Sequence, residues 1–171
     1  ERLYDFQNKN GGWGWWKNDA LNPYMTAYVM YGLKMANDLG YNVDKNVYNQ
    51  GFKALSTLLN EKNIDRVTAA YIAYVYSLAD SNAVKNPAFV KLTDELMADS
   101  LNAYATSLLG LVNHKLGDKK TETVILNRLM AMANEDQNFI SWGRDKYYTW
   151  QQDKVQTTAF ALKFLIAVDP N

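Results

Sequence analysis

Few residues in this chain could do chemistry. Three aspartates, Asp19, Asp145 and Asp153, flank aromatic segments, and a pair of carboxylates at suitable separation could hydrolyse a glycosidic bond. An aspartate directly before a helix is more often an N-cap, however, and Asp153 stands before the predicted helix start at Lys154. We therefore interpret these aspartates as structural and predict no catalytic residue.

The composition excludes several classes of site. The 171 residues include no cysteine and one histidine, which excludes disulfides, a thiol nucleophile and multi-histidine zinc sites. That histidine, His114, lies late in a predicted helix, where a cation stabilises the C-terminus. Lys119, Lys120 and Glu122 are predicted to form a solvated helix face. We predict no metal and no cofactor.

The charge balance and hydropathy of the chain argue against nucleic acid and membrane as partners. Lys+Arg and Asp+Glu number 18 each, so the basic excess of a nucleic-acid-binding surface is missing. No apolar run approaches the ~20 residues that span a bilayer, so no membrane span is predicted. The length fits one domain, which we predict to cover residues 1–171.

Aromatic residues cluster in two segments: a first aromatic loop at residues 7–16 and a second at residues 140–150. Both precede a predicted apolar helix, so we expect them on one rim of the molecule. Aromatic faces there could bind a ligand or partner, or shield a buried group. The alternative is that they pack the returning loop, and the Trp-Gly contexts favour this for Trp13 and Trp142. The candidate rim residues are Trp13, Trp15, Trp16, Trp142, Tyr147, Tyr148 and Trp150.

The elements that would position these loops are helices. Only 3 Pro and 9 Gly are present, and they separate stretches of 3.6-residue periodicity. The pattern predicts an all-α fold with an irregular loop between Glu135 and Asp153. The seven predicted helices run from Asn22 to about Gly40, Asp44 to about Lys62, Ile64 to Ala79, Asn86 to about Asp99, Ser100 to Leu116, Asp118 to about Asn134, and Lys154 to Val168.

These helices alternate in character. The second, fourth and sixth are apolar on one side, whereas the first, third, fifth and seventh are apolar almost all round and must be covered on most sides. The alternation predicts an inner and an outer row of helical hairpins. The inner helices also begin alike, with Thr-Ala or Asn-Ala motifs at irregular spacing. An open solenoid and a closed toroid both fit this pattern.

The segment QNKNGGWGWWKNDALNPYMTAYVMYGL at residues 7–33 resembles the bacterial alpha-2-macroglobulins. Trp150, Asp153, Val155 and the Thr-Thr-Ala-Phe-Ala-Leu run at residues 157–162 are similar to a later helix of that family, with Gln156 in place of the usual Glu. The resemblance covers essentially the whole chain. It implies part of the thioester-containing domain, an α/α toroid that complement proteins, terpene cyclases and prenyltransferases share. Gln7, Gly11 and Trp13 also match the Gln-x-x-x-Gly-x-Trp core of the terpene-cyclase repeat.

The departures from these relatives concern their reactive groups. The family's Cys-x-Glu-Gln thioester would lie upstream of Glu1. Some complement proteins transfer acyl groups through a histidine, and at the position of that histidine this chain has Lys17-Asn18-Asp19. The cyclase Asp-x-Asp-Asp motif and the prenyltransferase zinc ligands are missing. The resemblance therefore implies a piece that is not itself an enzyme.

The expected function is that of a non-catalytic part of a bacterial alpha-2-macroglobulin-like protease trap, which shields an upstream thioester. The family implies other domains of a larger parent chain as partners, proteases bound through that parent, and a location in the bacterial cell envelope or periplasm. The alternative is a toroid carbohydrate-binding module, or a carbohydrate-active or cyclase-like enzyme, that uses the aromatic rim. A third possibility is a helical interaction module that self-associates through exposed apolar faces.

Overall fold

The computed structural model describes residues 2–144 and 153–170. Within these ranges the chain forms seven α-helices, two 3-10 turns at Tyr4–Phe6 and Ala83–Lys85, and one small β-hairpin. The predicted all-α fold of about seven helices is confirmed. The helices are α1 (Pro23–Asp38), α2 (Lys45–Leu58), α3 (Arg66–Ala79), α4 (Pro87–Ala98), α5 (Ala103–Leu116), α6 (Lys119–Met130) and α7 (Lys154–Val168).

Side-chain caps determine where most of these helices begin. The side chain of Asn22 accepts a hydrogen bond from the Met25 amide at 2.9 Å, and Pro23 occupies the first helical position. Each such cap contributes about 1 kcal/mol. The same arrangement starts the other capped helices, at Asp44, Asp65, Asn102, Asp118 and Asp153. Gly117 ends α5 at φ 75°, a left-handed conformation that glycine adopts without strain.

The chain divides into two compact units, Glu1–Leu92 and Thr93–Asn171. In the first unit α1 packs against both α2 and α3, and in the second α5 packs against both α6 and α7. Both units therefore contain the helical hairpins that the alternating pattern predicts. That residues 1–171 form a single domain stays a prediction.

The inner helices differ in how far they are covered. Helices α3 and α5 are buried along most of their length, as their all-round apolar pattern predicts. Helices α1 and α7 are covered on one side by the described residues of their own unit and expose an apolar stripe on the other. The exposed stripes comprise Tyr28, Met35 and Leu39 at α1, and Val155, Leu162 and Ile166 on α7.

The prediction of a purely irregular loop after α6 is wrong. Helix α6 ends at Met130, and the chain then forms β1 (Asn134–Glu135) and β2 (Ile140–Ser141), which pair antiparallel. A turn closed by the Asp136 amide and the Phe139 carbonyl at 3.0 Å joins the two strands. The intervening polar residues favour a turn over continued helix. The strands are two residues each, too short for a periodicity of two to be visible in the sequence.

Candidate functional site

The first aromatic loop is held against α1 by a buried hydroxyl. Trp13 is 1% exposed, and its amide donates to Thr26 Oγ1 at 3.0 Å. The same hydroxyl donates to the Trp13 carbonyl at 3.2 Å, and the indole Nε1 donates to the Leu3 carbonyl at 3.0 Å. The indole ring also lies against Gly51 of α2, where an added Cβ would approach the ring to 2.8 Å. Trp13 is thus a packing residue of the returning loop.

Gln7 and Gly11 complete the fastening of this loop. The Gln7 side-chain amide donates to the Gly11 carbonyl at 2.8 Å and to the Val47 carbonyl of α2 at 2.9 Å. Gly11 has φ +81°, and a Cβ there would lie 2.4 Å from the Gln50 carbonyl oxygen. The Gln-x-x-x-Gly-x-Trp spacing therefore has a physical role, since it ties the loop to α2 and buries the indole.

The second aromatic loop repeats the arrangement. Trp142 is 2% exposed, its amide donates to Thr158 Oγ1 at 3.0 Å, and that hydroxyl donates back to the Trp142 carbonyl at 3.1 Å. The indole Nε1 donates to the carbonyl of Leu129, near the end of α6, at 2.8 Å. Sequence reasoning missed Thr26 and Thr158 as partners. Their signal was the Thr-Ala motif at the start of α1 and of α7.

Trp15 and Trp16 are the exposed members of the predicted rim among the described residues. Their side chains are 47% and 74% exposed. A turn holds this part of the loop, in which the Trp16 amide donates to Asp19 Oδ2 at 2.9 Å and Asn18 takes φ 71°. With Trp13 and Trp142 buried, Trp16 is the most exposed of the predicted rim residues that the structure describes. Tyr147, Tyr148 and Trp150 lie outside the described residues.

The prediction that Glu122 belongs to a solvated face is wrong. Glu122 is 3% exposed, with Lys119 Nζ 2.9 Å from its Oε1 and His114 Nδ1 2.7 Å from its Oε2. Residue 122 shares the inner face of α6 with Ile125 and Leu129, at a spacing of three and seven residues, and that face packs on α5. His114 thus pairs with a buried carboxylate, a contact that its position near a helix C-terminus did not predict.

The environment of Glu122 keeps its carboxyl ionised. Burial raises the pKa of Glu122, but the hydrogen bonds from Lys119 and His114 and the electrostatic attraction to both groups together outweigh this effect and hold the pKa below its usual range. Removing the Lys119 ammonium would leave a buried charge less compensated, which is costly. The cluster therefore joins α5 to α6 and has a structural role.

The aspartates are used by the backbone of their own segments. Asp19 accepts from the Trp16 amide, and Asp153 Oδ1 accepts from the Gln156 amide at 2.8 Å as the N-cap of α7. Asp145 lies outside the described residues. Within residues 2–144 and 153–170, no cluster of three or more His, Cys, Asp or Glu side chains is placed to hold a metal ion. No helix in the same ranges is long and apolar enough to cross a bilayer.

Comparison with known proteins gives a consistent result. No protein-family profile matches the chain. Alpha-2-macroglobulin of Thermotoga maritima is 33% identical over 81 residues, which are 47% of this chain and 5% of that protein. Native Escherichia coli alpha-2-macroglobulin, crystallised from domain MG7 to the C-terminus, matches with TM-score 0.70 and 22% identity over 96% of this chain and 26% of that one. The predicted resemblance to bacterial alpha-2-macroglobulins is confirmed.

A second bacterial alpha-2-macroglobulin has the same fold over this chain. Salmonella alpha-2-macroglobulin reacted with methylamine matches with TM-score 0.69 and 22% identity, over 96% of this chain and 11% of that one. The chain therefore spans only a small part of the alpha-2-macroglobulins it matches. These comparisons give no support to a carbohydrate-binding module or a cyclase-like enzyme.

Proposed function

We propose that this chain is a non-catalytic segment of the thioester-containing domain of a bacterial alpha-2-macroglobulin-like protein, a protease trap of the cell envelope. The observation that carries the proposal is the match in fold over 96% of the chain to the Escherichia coli structure from domain MG7 to the C-terminus. The sequence match to the Thermotoga maritima protein, at 33% identity, supports the same family.

The contacts of the described residues support a scaffolding role. The two buried tryptophans and their threonine partners each hold a loop on a helix, and the capping Asp153 fixes the start of α7. The Glu122 cluster does the same between α5 and α6. In a toroid of helical hairpins, such contacts would place the aromatic loops relative to neighbouring domains of the parent chain.

The exposed aromatic residues provide the functional part of the proposal. Trp16 is 74% exposed on a loop whose conformation is held by Asp19. Together with Tyr147, Tyr148 and Trp150 it would cover a thioester encoded upstream of this chain and exclude water until a protease triggers the parent. Excluding water from a reactive acyl group slows its hydrolysis.

Methylamine reactivity of the full-length protein tests this proposal. The Salmonella alpha-2-macroglobulin structure was obtained after reaction with methylamine. With a Cys-x-Glu-Gln motif upstream, Trp16→Ala should speed methylamine incorporation into the unactivated protein, because one covering ring is lost. Tyr41→Ala removes an aromatic side chain that is 68% exposed elsewhere in the first unit and should leave the rate unchanged.

Two results would contradict the proposal. A parent gene without an upstream Cys-x-Glu-Gln motif would remove the thioester that the rim is meant to cover. Equal methylamine rates in the unchanged protein and in Trp16→Ala would show that this ring covers nothing.

A further inference from the structure

A cavity of about 450 Å³ lies in the second unit between α5 and α6. It is lined by Thr106 and Leu109 of α5, by Ile125 and Arg128 of α6, and by residues 98–101 at the end of α4 and just after it. We propose that this cavity binds an extended peptide segment of another polypeptide. The Thr106 hydroxyl would hold the backbone of that segment, and an aliphatic side chain of the segment would fill the cavity. The proposal does not depend on the thioester-domain function.

The start of α5 repeats the start of α1. Both carry the motif Asn-x-Tyr-x-Thr, at residues 22–26 and 102–106. In each motif the asparagine side chain caps the helix by accepting a hydrogen bond from the amide three residues along the chain, at 2.9 Å. Thr26 and Thr106 therefore occupy the same position on their helices, and they are 0% and 4% exposed. In α1 this position holds a chain segment, because the Thr26 hydroxyl bonds to both backbone groups of Trp13.

The Thr106 hydroxyl lacks a partner of this kind. Only four residues, 99–102, separate α4 from α5, so no long loop like the one that Thr26 holds directly precedes α5. Among the described residues Thr106 forms no side-chain hydrogen bond, and the fully enclosed hydroxyls without a partner are those of Ser141 and Thr157. The Thr106 hydroxyl is therefore reachable from the cavity that it lines. The N–H and C=O groups of an extended segment would give it the two hydrogen bonds that Thr26 makes.

Ile125 determines which side chain of the segment fits. It stands seven residues after Asp118, the cap of α6, and Gly51 stands seven residues after Asp44, the cap of α2. Gly51 leaves room for the Trp13 indole, since an added Cβ would lie 2.8 Å from the ring. In the second unit the Ile125 side chain, 1% exposed, takes up the corresponding space. A leucine side chain should therefore fit the cavity better than an indole does.

The charges at the cavity favour a neutral segment. Asp99 and Arg128 both line it and carry opposite charges. Arg128 Nη1 donates to the Met97 carbonyl at 2.8 Å, which holds this side chain near the end of α4. Because the two charges offset each other, a neutral peptide should bind with little dependence on salt concentration.

Titration of the 171-residue chain with N-acetyl-Gly-Leu-Gly-amide, followed by backbone amide NMR, tests the site. We expect saturable shifts at residues 106, 125 and 128, and binding about tenfold tighter than that of N-acetyl-Gly-Trp-Gly-amide, whose ring would overpack the cavity. Thr106→Val should weaken binding of the leucine peptide about tenfold, as expected for the loss of two neutral hydrogen bonds. Thr123→Val makes the same change on α6, outside the cavity, and should leave the affinity unchanged.

A second measurement separates peptide binding from folding. Without peptide, Thr106→Val should melt at the same temperature as the unchanged chain or higher, because the hydroxyl it removes has no partner among the described residues. Thr26→Val, which removes the partner of a buried amide, should melt at a lower temperature. Thr106→Ser keeps the hydroxyl and should keep the affinity.

Four results would overturn the assignment. They are shifts that do not saturate, equal affinity for the leucine and tryptophan peptides, unchanged affinity in Thr106→Val, and a lower melting temperature for Thr106→Val in the absence of peptide.

Discussion

Replacing Thr26 by valine tests whether one buried hydroxyl holds the first aromatic loop on α1. Thr26 is 0% exposed, and its Oγ1 both accepts from the Trp13 amide at 3.0 Å and donates to the Trp13 carbonyl at 3.2 Å. Valine has nearly the same shape and, like threonine, is branched at Cβ. The substitution therefore removes the two hydrogen bonds with little change in packing or helix propensity.

The two lost bonds do not cost the same. The Trp13 carbonyl keeps a partner, because the Asn22 amide also donates to it at 2.9 Å. The buried Trp13 amide loses its partner, and such a group costs about 1–3 kcal/mol. We therefore expect Thr26→Val to lower the free energy of unfolding by about 2 kcal/mol. Thr158→Val should cost less, about 1 kcal/mol, because Thr158 is half-buried and water can reach the freed amide.

Urea unfolding followed by tryptophan fluorescence measures both values. A loss of about 2 kcal/mol corresponds to a midpoint lower by about 1 M urea at an unchanged slope. Thr57→Val is the matched control, because Thr57 is exposed on α2 and its hydroxyl bonds only within the helix, to the Lys53 carbonyl. We expect the control to stay within about 0.5 kcal/mol of the unchanged chain. If Thr26→Val also stays within that range, the Thr26 hydroxyl does not hold the first aromatic loop on α1.

Three further predictions concern the core, the buried charge and the exposed ring. Gly110→Ala should destabilise the chain by about 1–3 kcal/mol in urea unfolding, because its Cβ would lie 2.5 Å from a Phe164 ring atom. The pKa of Glu122 is lower in the folded chain than its unfolded value of about 4.5, so the ionised carboxylate stabilises the fold above that pH. This stability is lost as the pH falls through the folded-state pKa. Thermal melts from neutral to acidic pH should therefore fall more steeply for the unchanged chain than for Glu122→Gln. Trp13→Ala should cost about 3–5 kcal/mol of unfolding free energy and Trp16→Ala less than about 0.5.

Each of these has an outcome that would contradict it. A Gly110→Ala variant as stable as the unchanged chain would mean that α5 and α7 are not in close contact at Phe164. If the melting temperatures of the unchanged chain and of Glu122→Gln fall in parallel with pH, the neighbours of the Glu122 carboxylate do not stabilise its charge in the folded state. Similar costs for the two tryptophan substitutions would contradict the burial difference between Trp13 and Trp16.

Local signals in the sequence predicted the helices well. The start at Asn22 and Pro23 is as predicted, and α7 runs from Lys154 to Val168 as expected. These features depend on capping and on 3.6-residue periodicity, which neighbouring residues determine. The burial of Glu122 was missed because a charged residue on an amphipathic helix is usually assigned to its solvent-exposed side. Its inward position depends on which face of α6 packs on α5.

At the candidate site, too, local sequence predicted some features and missed those that depend on tertiary packing. The sequence placed the aromatic residues in two loops before inner helices, and the described part of both loops lies there. It favoured packing for Trp13 and Trp142 and left open whether Trp16 packs or binds. Residues 145–152, which include Tyr147, Tyr148 and Trp150, are not described, so their role in the rim stays a prediction.

By itself the sequence determined an all-α chain without cysteine chemistry, the main helix starts, and a resemblance to bacterial alpha-2-macroglobulins. Only the tertiary structure decided that Trp13 is 1% exposed whereas Trp16, in the same loop, is 74% exposed. The Trp-Gly context of Trp13 favoured packing, but local sequence could not determine the burial of either ring. The difference arises because Thr26, 13 residues along the chain, brings a hydroxyl to the backbone of Trp13, and because Gly51 leaves room for its ring.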